Sequence, residues 1–392
     1  MYFSLKKSEI IQVQNARRIL YKVIPIISTM KPAFLFLLNF LAFQSLAQQT
    51  DQIEKAMRPF WEGKTMYNES VMMISKDGGA PEAKLLFKPK QILSVTDAGL
   101  QTTYVKGVDW DYKDDKLVLL PGSKAVSMKY TELYPDSAKK SFPKRGGGKV
   151  LFAEGAFFHN KQLAVTYTHG KNEWEGLKPV FQKDNLTVAL DLLKQKKPMR
   201  ILLFGDSISE GANASGQSNA APNLPTWGTL IVEKLKSYYQ TNIEFTNTAV
   251  GGKNSDWGRE TVEENVNAYS PDLVIIAFGM NDGTGKMTAA KFKDNIQAMI
   301  KSIKAKKPDT EFILVSTMLP NPESMFLGTQ PEYTQVLQEL TEKGIVLVDM
   351  TAVHRELLKH KSYEDLTGNN INHPNDFLIR WYAQEIAGVL MP

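Results

Sequence analysis

Residues 200–209 read RILLFGDSIS, an apolar run that ends in Gly205, Asp206 and Ser207. A run that is apolar on both faces is typical of a buried strand in a parallel sheet. Four more apolar runs follow along the chain, at residues 243–250, 273–279, 311–317 and 345–350. Stretches with helical periodicity alternate with them, near residues 227–240, 258–268, 288–306, 331–343, 351–360 and 375–390. The alternation predicts a doubly wound α/β domain over residues 198–392, with a five-stranded parallel sheet between two layers of helices.

The chain before residue 195 has a different pattern. Short runs rich in β-forming residues recur, separated by Gly, Asp, Pro and Lys, and no helical period persists. The runs lie at residues 70–74, 83–87, 91–95, 102–105, 116–120, 150–158 and 162–169. Many short strands at close spacing predict a smaller all-β sandwich, similar to a jelly roll, over residues 51–195. The change of pattern near residue 195 is the expected domain boundary.

Positive charge is concentrated at the start of the chain. The 392 residues carry a formal net charge of +5, but residues 1–47 hold six Lys or Arg against one Glu, and 41 basic and 41 acidic residues remain after them. A neutral body lacks the electrostatic footprint of a nucleic-acid-binding protein, so no nucleic-acid partner is expected. The absence of cysteine excludes disulfides, thiolate metal sites and a cysteine nucleophile.

Residues 30–47, MKPAFLFLLNFLAFQSLA, have the layout of a secretory signal peptide. A lysine precedes a short apolar run, and the small residues Ser45 and Ala47 follow it. This layout predicts cleavage after Ala47 and a secreted or periplasmic protein. The apolar run is short for a bilayer span, so no stable membrane insertion is expected after cleavage. An uncleaved anchor is the alternative, and translation starts at Met1 or Met30.

Groups that suit acyl transfer follow the predicted strands. In an open parallel sheet the reactive loops lie at the carboxyl ends of the strands. Ser207 follows the first strand, Gly252 the second and Asn281 the third, while His373 lies beyond the fifth. A serine hydroxyl needs a base such as histidine to become a nucleophile. The Ser207 and Gly252 N–H groups and the Asn281 amide can together form an oxyanion hole.

These residues resemble the four sequence blocks of the SGNH hydrolase superfamily, also called GDSL esterases. The blocks are GDSIS around Ser207, NTAVGGKN around Gly252, GMND around Asn281 and NINHPND around His373, in the order of the family. The resemblance covers residues 198–392 and implies a flavodoxin-like three-layer fold. It also implies ester hydrolysis through an acyl-serine intermediate, with no metal or organic cofactor. Together with GDSISEGANAS, the β-rich half resembles secreted bacterial carbohydrate esterases.

The resemblance leaves more than one function open. The leading hypothesis is a secreted serine esterase that removes O-acyl groups, acetyl first among them, from a polysaccharide or oligosaccharide. One alternative is a lipase or thioesterase that acts on longer acyl chains, although the second half has no long apolar lid-like stretch. The alternative from another class is a glycan-binding protein whose esterase domain is degenerate.

The group that orients His373 departs from the pattern of the family. The family has an aspartate three residues before the histidine, and here that position is Asn370. An asparagine can accept a hydrogen bond from the imidazole but cannot stabilise the imidazolium by charge. Asp365, Asp376 and a backbone carbonyl are the other candidates. A Ser–His dyad oriented by Asn370 or a carbonyl is the favoured hypothesis, and Asp206 is expected to fix its turn by hydrogen bonding.

Overall fold

The N-terminal part of the described chain consists of short strands. The computed structural model describes residues 53–171 and 173–392, so the predicted signal peptide lies outside the described residues. The strands are β1 (Thr65–Val71), β2 (Ile74–Ser75), β3 (Glu82–Ala83), β4 (Gln91–Asp97), β5 (Thr103–Tyr104), β6 (Trp110–Lys113), β7 (Lys116–Leu119), β8 (Met128–Lys129), β9 (Ser141–Pro143), β10 (Lys149–Leu151) and β11 (Leu163–Thr168). The prediction of an all-β region before the α/β part is confirmed.

These strands form two sheets and a hairpin. One sheet has the order β1-β11-β4-β5, a second has the order β6-β7-β3-β2-β8, and β9 pairs with β10. A short helix, α1 (Tyr130–Leu133), follows β8. The strand expected at residues 150–158 ends at Leu151, because the chain then turns through Gly155, whose φ is +73°. Only glycine adopts such a backbone readily.

The C-terminal part is a parallel α/β sheet. Its strands are β12 (Met199–Gly205), β13 (Ile243–Asn247), β14 (Leu273–Ala277), β15 (Glu311–Val315) and β16 (Ile345–Val348). Its helices are α2 (Thr187–Lys194), α3 (Ser207–Glu210), α4 (Trp227–Tyr239), α5 (Ser255–Asn265), α6 (Met280–Thr284), α7 (Ala289–Lys306), α8 (Tyr333–Gln338), α9 (Met350–His360) and α10 (Asp376–Leu390). The sheet order β13-β12-β14-β15-β16 is that of the flavodoxin-like class. The predicted doubly wound, five-stranded parallel sheet is confirmed.

Alternate residues of the central strands face two different layers. Leu202 and Phe204 of β12 belong to a core that includes Val262 of α5 and Phe292 of α7. Leu203 faces the other layer, where α4 approaches so closely that a Cβ on Gly228 would lie 2.9 Å from the Leu203 side chain. Apolar residues on both faces are therefore required, as the continuous apolar runs predicted.

Side-chain caps begin most of the long helices. Thr226, Asn254, Thr288, Asp349 and Asn375 each accept a hydrogen bond from a backbone N–H in the first turn of the helix that follows. Such caps satisfy N–H groups that have no partner within the helix. The helix expected at residues 331–343 is shorter in the structure, where α8 spans Tyr333–Gln338.

The β-rich and α/β parts share a buried polar interface. Lys361 Nζ lies 2.5 Å from Glu69 Oε1 of β1, and neither side chain is exposed to solvent. Arg380 of α10 donates to the carbonyl oxygen of Tyr67 at 2.8 Å. Asp365 accepts from the backbone N–H of Met72 at 2.7 Å. These polar groups are therefore paired across the interface, and removing one partner of the Lys361–Glu69 pair would be strongly destabilising.

Residues Lys55–Pro392 form one compact unit that contains both parts. The α/β pattern begins with α2 at Thr187, whose first turn is capped by the carboxylate of Glu311. Separate domains over residues 51–195 and 198–392 stay a prediction. No helix among the described residues is long and apolar enough to cross a membrane.

Candidate active site

Ser207 follows the carboxyl end of β12, an interior strand of the parallel sheet. It is the first residue of α3, and Asp206 is the N-cap whose carboxylate accepts from the N–H of Ile208 at 3.0 Å. The expectation that Asp206 fixes this turn is confirmed. The N–H of Ser207 has no acceptor within the helix, because the first amides of a helix lack one. Trp227 is fully buried and donates from Nε1 to the carbonyl of Ile208 at 2.8 Å, which supports the turn from below.

The loop that carries His373 is held by its own polar groups. The side-chain oxygen of Asn369 accepts from the backbone N–H groups of Ile371, Asn372 and His373 at 2.9–3.1 Å. Thr367 Oγ1 donates to the carbonyl of His373 at 3.0 Å. Three amides bound to one oxygen leave the backbone little freedom, so the imidazole is presented in one position.

The structure brings Ser207 and His373 together. His373 Nε2 lies 2.9 Å from Ser207 Oγ, and both side chains are largely buried. On the far side of the ring, Nδ1 lies 2.7 Å from Asn213 Oδ1. Asn213 donates from Nδ2 to the carbonyl of Gly155 at 3.0 Å, which turns its oxygen toward the imidazole. Nδ1 therefore carries the proton, and Nε2 is free to accept the proton of Ser207.

Close packing allows Asn213 to reach the ring. Its φ of +64° lies in the left-handed region that asparagine tolerates better than most residues. A Cβ on Gly368 would lie 2.5 Å from the Cβ of Asn213, so any larger residue there would displace Asn213. Asn213 thus contacts Nδ1 of His373, where Asn370, an aspartate or a backbone carbonyl was expected.

Asn370 does not orient His373, and this expectation is wrong in the observed geometry. Asn370 is fully buried with a φ of +65°, and its Nδ2 donates to the carbonyl of Leu151 at 3.1 Å. Its Oδ1 accepts from Asn321 at 3.3 Å. The left-handed backbone directs the side chain toward strand β10 and away from the imidazole.

The two aspartates considered as alternatives also have other partners. Asp365 accepts from the N–H of Met72, and Asp376 accepts from the N–H of Ser215 at 2.9 Å. Burial raises the pKa of the Asp376 carboxyl, against the lowering influence of nearby His159 and of the hydrogen bonds from Ser215. Neither carboxylate contacts the ring of His373.

A carboxylate that the sequence analysis missed approaches His373 from the β-rich part. Glu154 Oε2 lies 3.3 Å from His373 Nδ1, and Glu154 Oε1 accepts from Asn369 Nδ2 at 3.3 Å. Burial alone would raise the pKa of the Glu154 carboxyl. The hydrogen bond and charge of His373, with hydrogen bonds from Asn369 and Asn213, outweigh burial and lower that pKa below its ordinary value. Glu154 is therefore ionised at neutral pH.

The two expected oxyanion donors follow the two strands that flank β12. Gly252 lies in the loop after β13, and Asn281 is the second residue of α6 after β14, so both follow strands that pair with β12. Gly252 is exposed and has a φ of +75°, a conformation that favours glycine. Asn281 Nδ2 donates one hydrogen to the carbonyl of Lys253 at 2.8 Å. The second hydrogen on that nitrogen remains for a substrate oxygen.

Two further carboxyl groups lie beneath these loops. Burial raises the pKa of Asp206 to about 7, although the hydrogen bond from Ile208 opposes it, and the charge of Asp282 adds to the rise. Burial likewise raises the pKa of Asp282, against hydrogen bonds from the N–H and hydroxyl of Ser255.

The mouth of the site carries an acidic group. Glu210 Oε2 lies 2.9 Å from the point that a Cβ on Gly251 would occupy, and Ser207 Cβ lies 3.7 Å from the same point. The Glu210 side chain is exposed, and its carboxylate makes no hydrogen bond or ion pair within the described part of the chain. A free acceptor thus stands close to the hydroxyl of Ser207. No metal-binding cluster of three or more His, Asp or Glu occurs in residues 53–171 and 173–392.

A serine hydroxyl bound to a histidine whose other nitrogen is held by an acceptor is the constellation of serine hydrolases. Residues 203–377 match the model of the GDSL-like Lipase/Acylhydrolase family. The matched residues include Ser207, Gly252, Asn281 and His373.

Two curated relatives match part of the chain. An arylesterase of Vibrio mimicus is 27% identical over 105 residues, which are 27% of this chain and 48% of that protein. An uncharacterized protein of Mycoplasma pneumoniae is 23% identical over 165 residues, 40% of this chain and 18% of that protein. The chain thus spans less than half the length of either relative.

Solved structures give more distant likenesses. A two-domain esterase (CEX) active on acetylated mannans is 21% identical with a TM-score of 0.45, over 55% of this chain and 54% of its own. The acetylxylan esterase Axe2 of Geobacillus stearothermophilus is 19% identical with a TM-score of 0.42, over 50% of this chain and 94% of its own. At such TM-scores these likenesses carry no argument about the substrate.

Proposed function

We propose that this chain is a serine esterase that removes small O-acyl groups, acetyl first among them, from a carbohydrate. The observation that carries the proposal is the 2.9 Å contact between Ser207 Oγ and His373 Nε2, on a ring whose Nδ1 is held by Asn213. A weak nucleophile is activated when its base is fixed in the correct tautomer. The match of residues 203–377 to an acylhydrolase family supports the same reaction class.

The reaction follows from the positions of the groups. His373 Nε2 takes the proton of Ser207 as Oγ attacks the ester carbonyl, and a tetrahedral anion forms. The N–H groups of Ser207 and Gly252 and the amide of Asn281 receive that anion, each donor contributing about 100- to 1,000-fold in rate. The imidazolium then gives its proton to the leaving alcohol. Water deacylates the serine by the same route in reverse order.

The carboxylate of Glu210 supports an alcohol rich in hydroxyl groups as the leaving group. It is exposed, lacks a partner and stands next to Ser207, so it can accept hydrogen bonds from hydroxyls near the scissile ester. It would repel an anionic group at the same place. A neutral sugar donates hydrogen bonds to this carboxylate and carries no negative charge, whereas the hydrocarbon of a long acyl chain has no group that donates to it.

The two alternatives are weaker on this geometry. A degenerate, glycan-binding domain was favoured by the missing acid before His373, but two acceptors contact Nδ1. A lipase or thioesterase of long acyl chains gains no support from the polar mouth at Glu210. We also propose that the protein is secreted or periplasmic, on the signal-like residues 30–47, and that it binds no nucleic acid.

The test of the proposed function is release of acetate from a panel of acetylated xylan, mannan, pectin and peptidoglycan, with p-nitrophenyl acetate and octanoate as small esters. We expect acetate from at least one glycan and a preference for acetyl over octanoyl. Ser207→Ala should lower the rate on every substrate by at least about 1,000-fold, because residual catalysis without the nucleophile comes only from the oxyanion donors and binding. Activity of Ser207→Ala within tenfold of wild type would refute the proposal.

A further inference from the structure

We propose that Glu154 of the β-rich part supplies the negative charge that supports His373, and that Asn370 fixes the segment that carries it. The inference rests on the proposed function, because it concerns the proton transfer between Ser207 and His373. The β-rich part thereby contributes a residue to the esterase site, and this residue, Glu154, acts on His373 and not on the substrate.

Asn213 and Glu154 do different things for the ring. Asn213 Oδ1 is the nearer acceptor, at 2.7 Å, and it suffices to hold the proton on Nδ1. It is neutral, however, and cannot offset the positive charge that the ring acquires when it takes the proton of Ser207. Glu154 Oε2, at 3.3 Å, is the one ionisable group of the described residues within ion-pair distance of the ring. A carboxylate there favours the imidazolium.

Three asparagines of the α/β part position the Glu154 segment, residues 151–155. Asn370 Nδ2 donates to the carbonyl of Leu151 at 3.1 Å, and Asn213 Nδ2 donates to the carbonyl of Gly155 at 3.0 Å. Asn369 Nδ2 donates to the Glu154 carboxylate itself at 3.3 Å. Asn370, which stands where the family has an aspartate, therefore anchors the segment that carries Glu154 to His373.

The Glu154 charge is only partly shielded from water. Its side chain is 49% exposed, whereas that of His373 is 9% exposed. Solvent screens an exposed pair, so the charge contributes less than that of a fully buried triad aspartate. In a Ser-His-Asp triad, changing the aspartate to an amide lowers kcat about 10,000-fold, largely because the wrong tautomer forms. Here Asn213 keeps the tautomer, so we expect a loss of about 10- to 100-fold.

The test compares Glu154→Gln with wild type on p-nitrophenyl acetate, a substrate too small to reach far beyond Ser207. The variant keeps the shape and one acceptor oxygen and removes the charge, while an NH2 group replaces the oxygen that faces either Asn369 or His373. We expect kcat to fall by about 10- to 100-fold with KM within about twofold. The acidic limb of the pH profile of kcat/KM should move to lower pH, because the imidazolium loses an anionic neighbour. Glu154→Asp should return the limb toward its wild-type position.

The matched control is Glu82→Gln, another change of charge in the β-rich part. The Glu82 side chain is 43% exposed and pairs with Lys116, so its burial is like that of Glu154. It should leave kcat and the pH profile unchanged. If the Glu154→Gln substitution only damages the structure, the melting temperature falls. If Glu154 only contacts the substrate, KM alone changes. Either result without the shift of the acidic limb overturns the inference.

The inference and the proposed function can fail separately. If Ser207→Ala is inactive but Glu154→Gln retains wild-type kcat and the wild-type pH profile, the esterase assignment stands and the role of Glu154 is wrong. If Ser207→Ala is as active as wild type, the proposed function is wrong, whatever the result for Glu154→Gln.

Discussion

Asn370→Asp restores the D-x-x-H spacing of the family, and the geometry predicts that it damages this protein. In the wild type, Nδ2 of the fully buried Asn370 donates to the carbonyl of Leu151 at 3.1 Å. The substitution is isosteric, and the left-handed backbone suits both residues. It replaces the donor by an oxygen, so that a carboxylate and a carbonyl oxygen face each other without a hydrogen between them.

The magnitude follows from the lost bond and the buried charge. A buried carbonyl left without its donor costs about 1–3 kcal/mol. An uncompensated charge left in a buried site brings the total to about 3–5 kcal/mol at pH 8. Burial raises the pKa of the introduced carboxyl, so the variant regains stability as the pH falls toward about 4, where the acid is protonated and can donate.

The assay is guanidinium unfolding at pH 5 and pH 8, with kcat/KM measured on p-nitrophenyl acetate. We expect Asn370→Asp to lose more stability at pH 8 than at pH 5 and to have lower kcat/KM, since the segment that carries Glu154 loses its anchor. The control Asn370→Gly removes the hydrogen bond to Leu151, and also the one from Asn321, without adding charge and should cost about 1–3 kcal/mol at both pH values. A gain in kcat/KM for Asn370→Asp would show that a carboxylate at this position reaches His373, and the reasoning would be refuted.

Two other substitutions test separate parts of the structure. Glu385 of α10 is 3% exposed, one of its oxygens lacks a partner in the described part of the chain, and burial raises its pKa to about 8. The folded protein therefore holds a proton that the unfolded chain loses above about pH 4.5, and wild-type stability falls from there to about pH 8. Glu385→Gln should remove about 2–4 kcal/mol of that fall, and parallel pH–stability curves would contradict this expectation. Glu210→Ala removes the acceptor and should raise KM for an acetylated sugar by about three- to tenfold, the value of one hydrogen bond, and leave KM for p-nitrophenyl acetate unchanged; equal changes in both would be evidence against a sugar contact.

Much of the fold was predictable because it depends on local pattern. The apolar runs before Ser207, Gly252 and Asn281 are strands, and the strand order places those three residues on adjacent edges of the sheet. Each follows its strand directly, so the topology alone brings them together. His373 was identified as the base from its sequence block and its polar loop, and the structure places it against Ser207.

The partners on the far side of His373 were not predictable in the same way. Glu154 is 219 residues away from His373 in the chain, and it reaches the ring only because the β-rich part docks on the α/β part. No local sequence pattern around Glu154 predicts this contact. Asn213 left a fainter signal, since an asparagine in a glycine-rich turn after Ser207 suits a left-handed backbone, but only the packing against Gly368 shows its direction.

Strand ends were the least accurate part of the fold prediction. In the run at residues 83–87 only Ala83 lies in a strand, and the run at residues 150–158 is strand only to Leu151. The carbonyls of Leu151 and Gly155 accept from Asn370 and Asn213 of the α/β part instead of from a neighbouring strand. Tertiary contacts therefore override the local preference for strand in this segment.

The most direct test of the central claim is active-site titration with a fluorophosphonate, followed by peptide mapping, in wild type, Ser207→Ala and His373→Ala. We predict stoichiometric labelling of wild type at Ser207, no labelling of Ser207→Ala, and labelling of His373→Ala slowed by at least about 100-fold, because the base contributes about 100- to 10,000-fold. Wild-type protein that stays unlabelled, or that is labelled at a residue other than Ser207, would contradict the account.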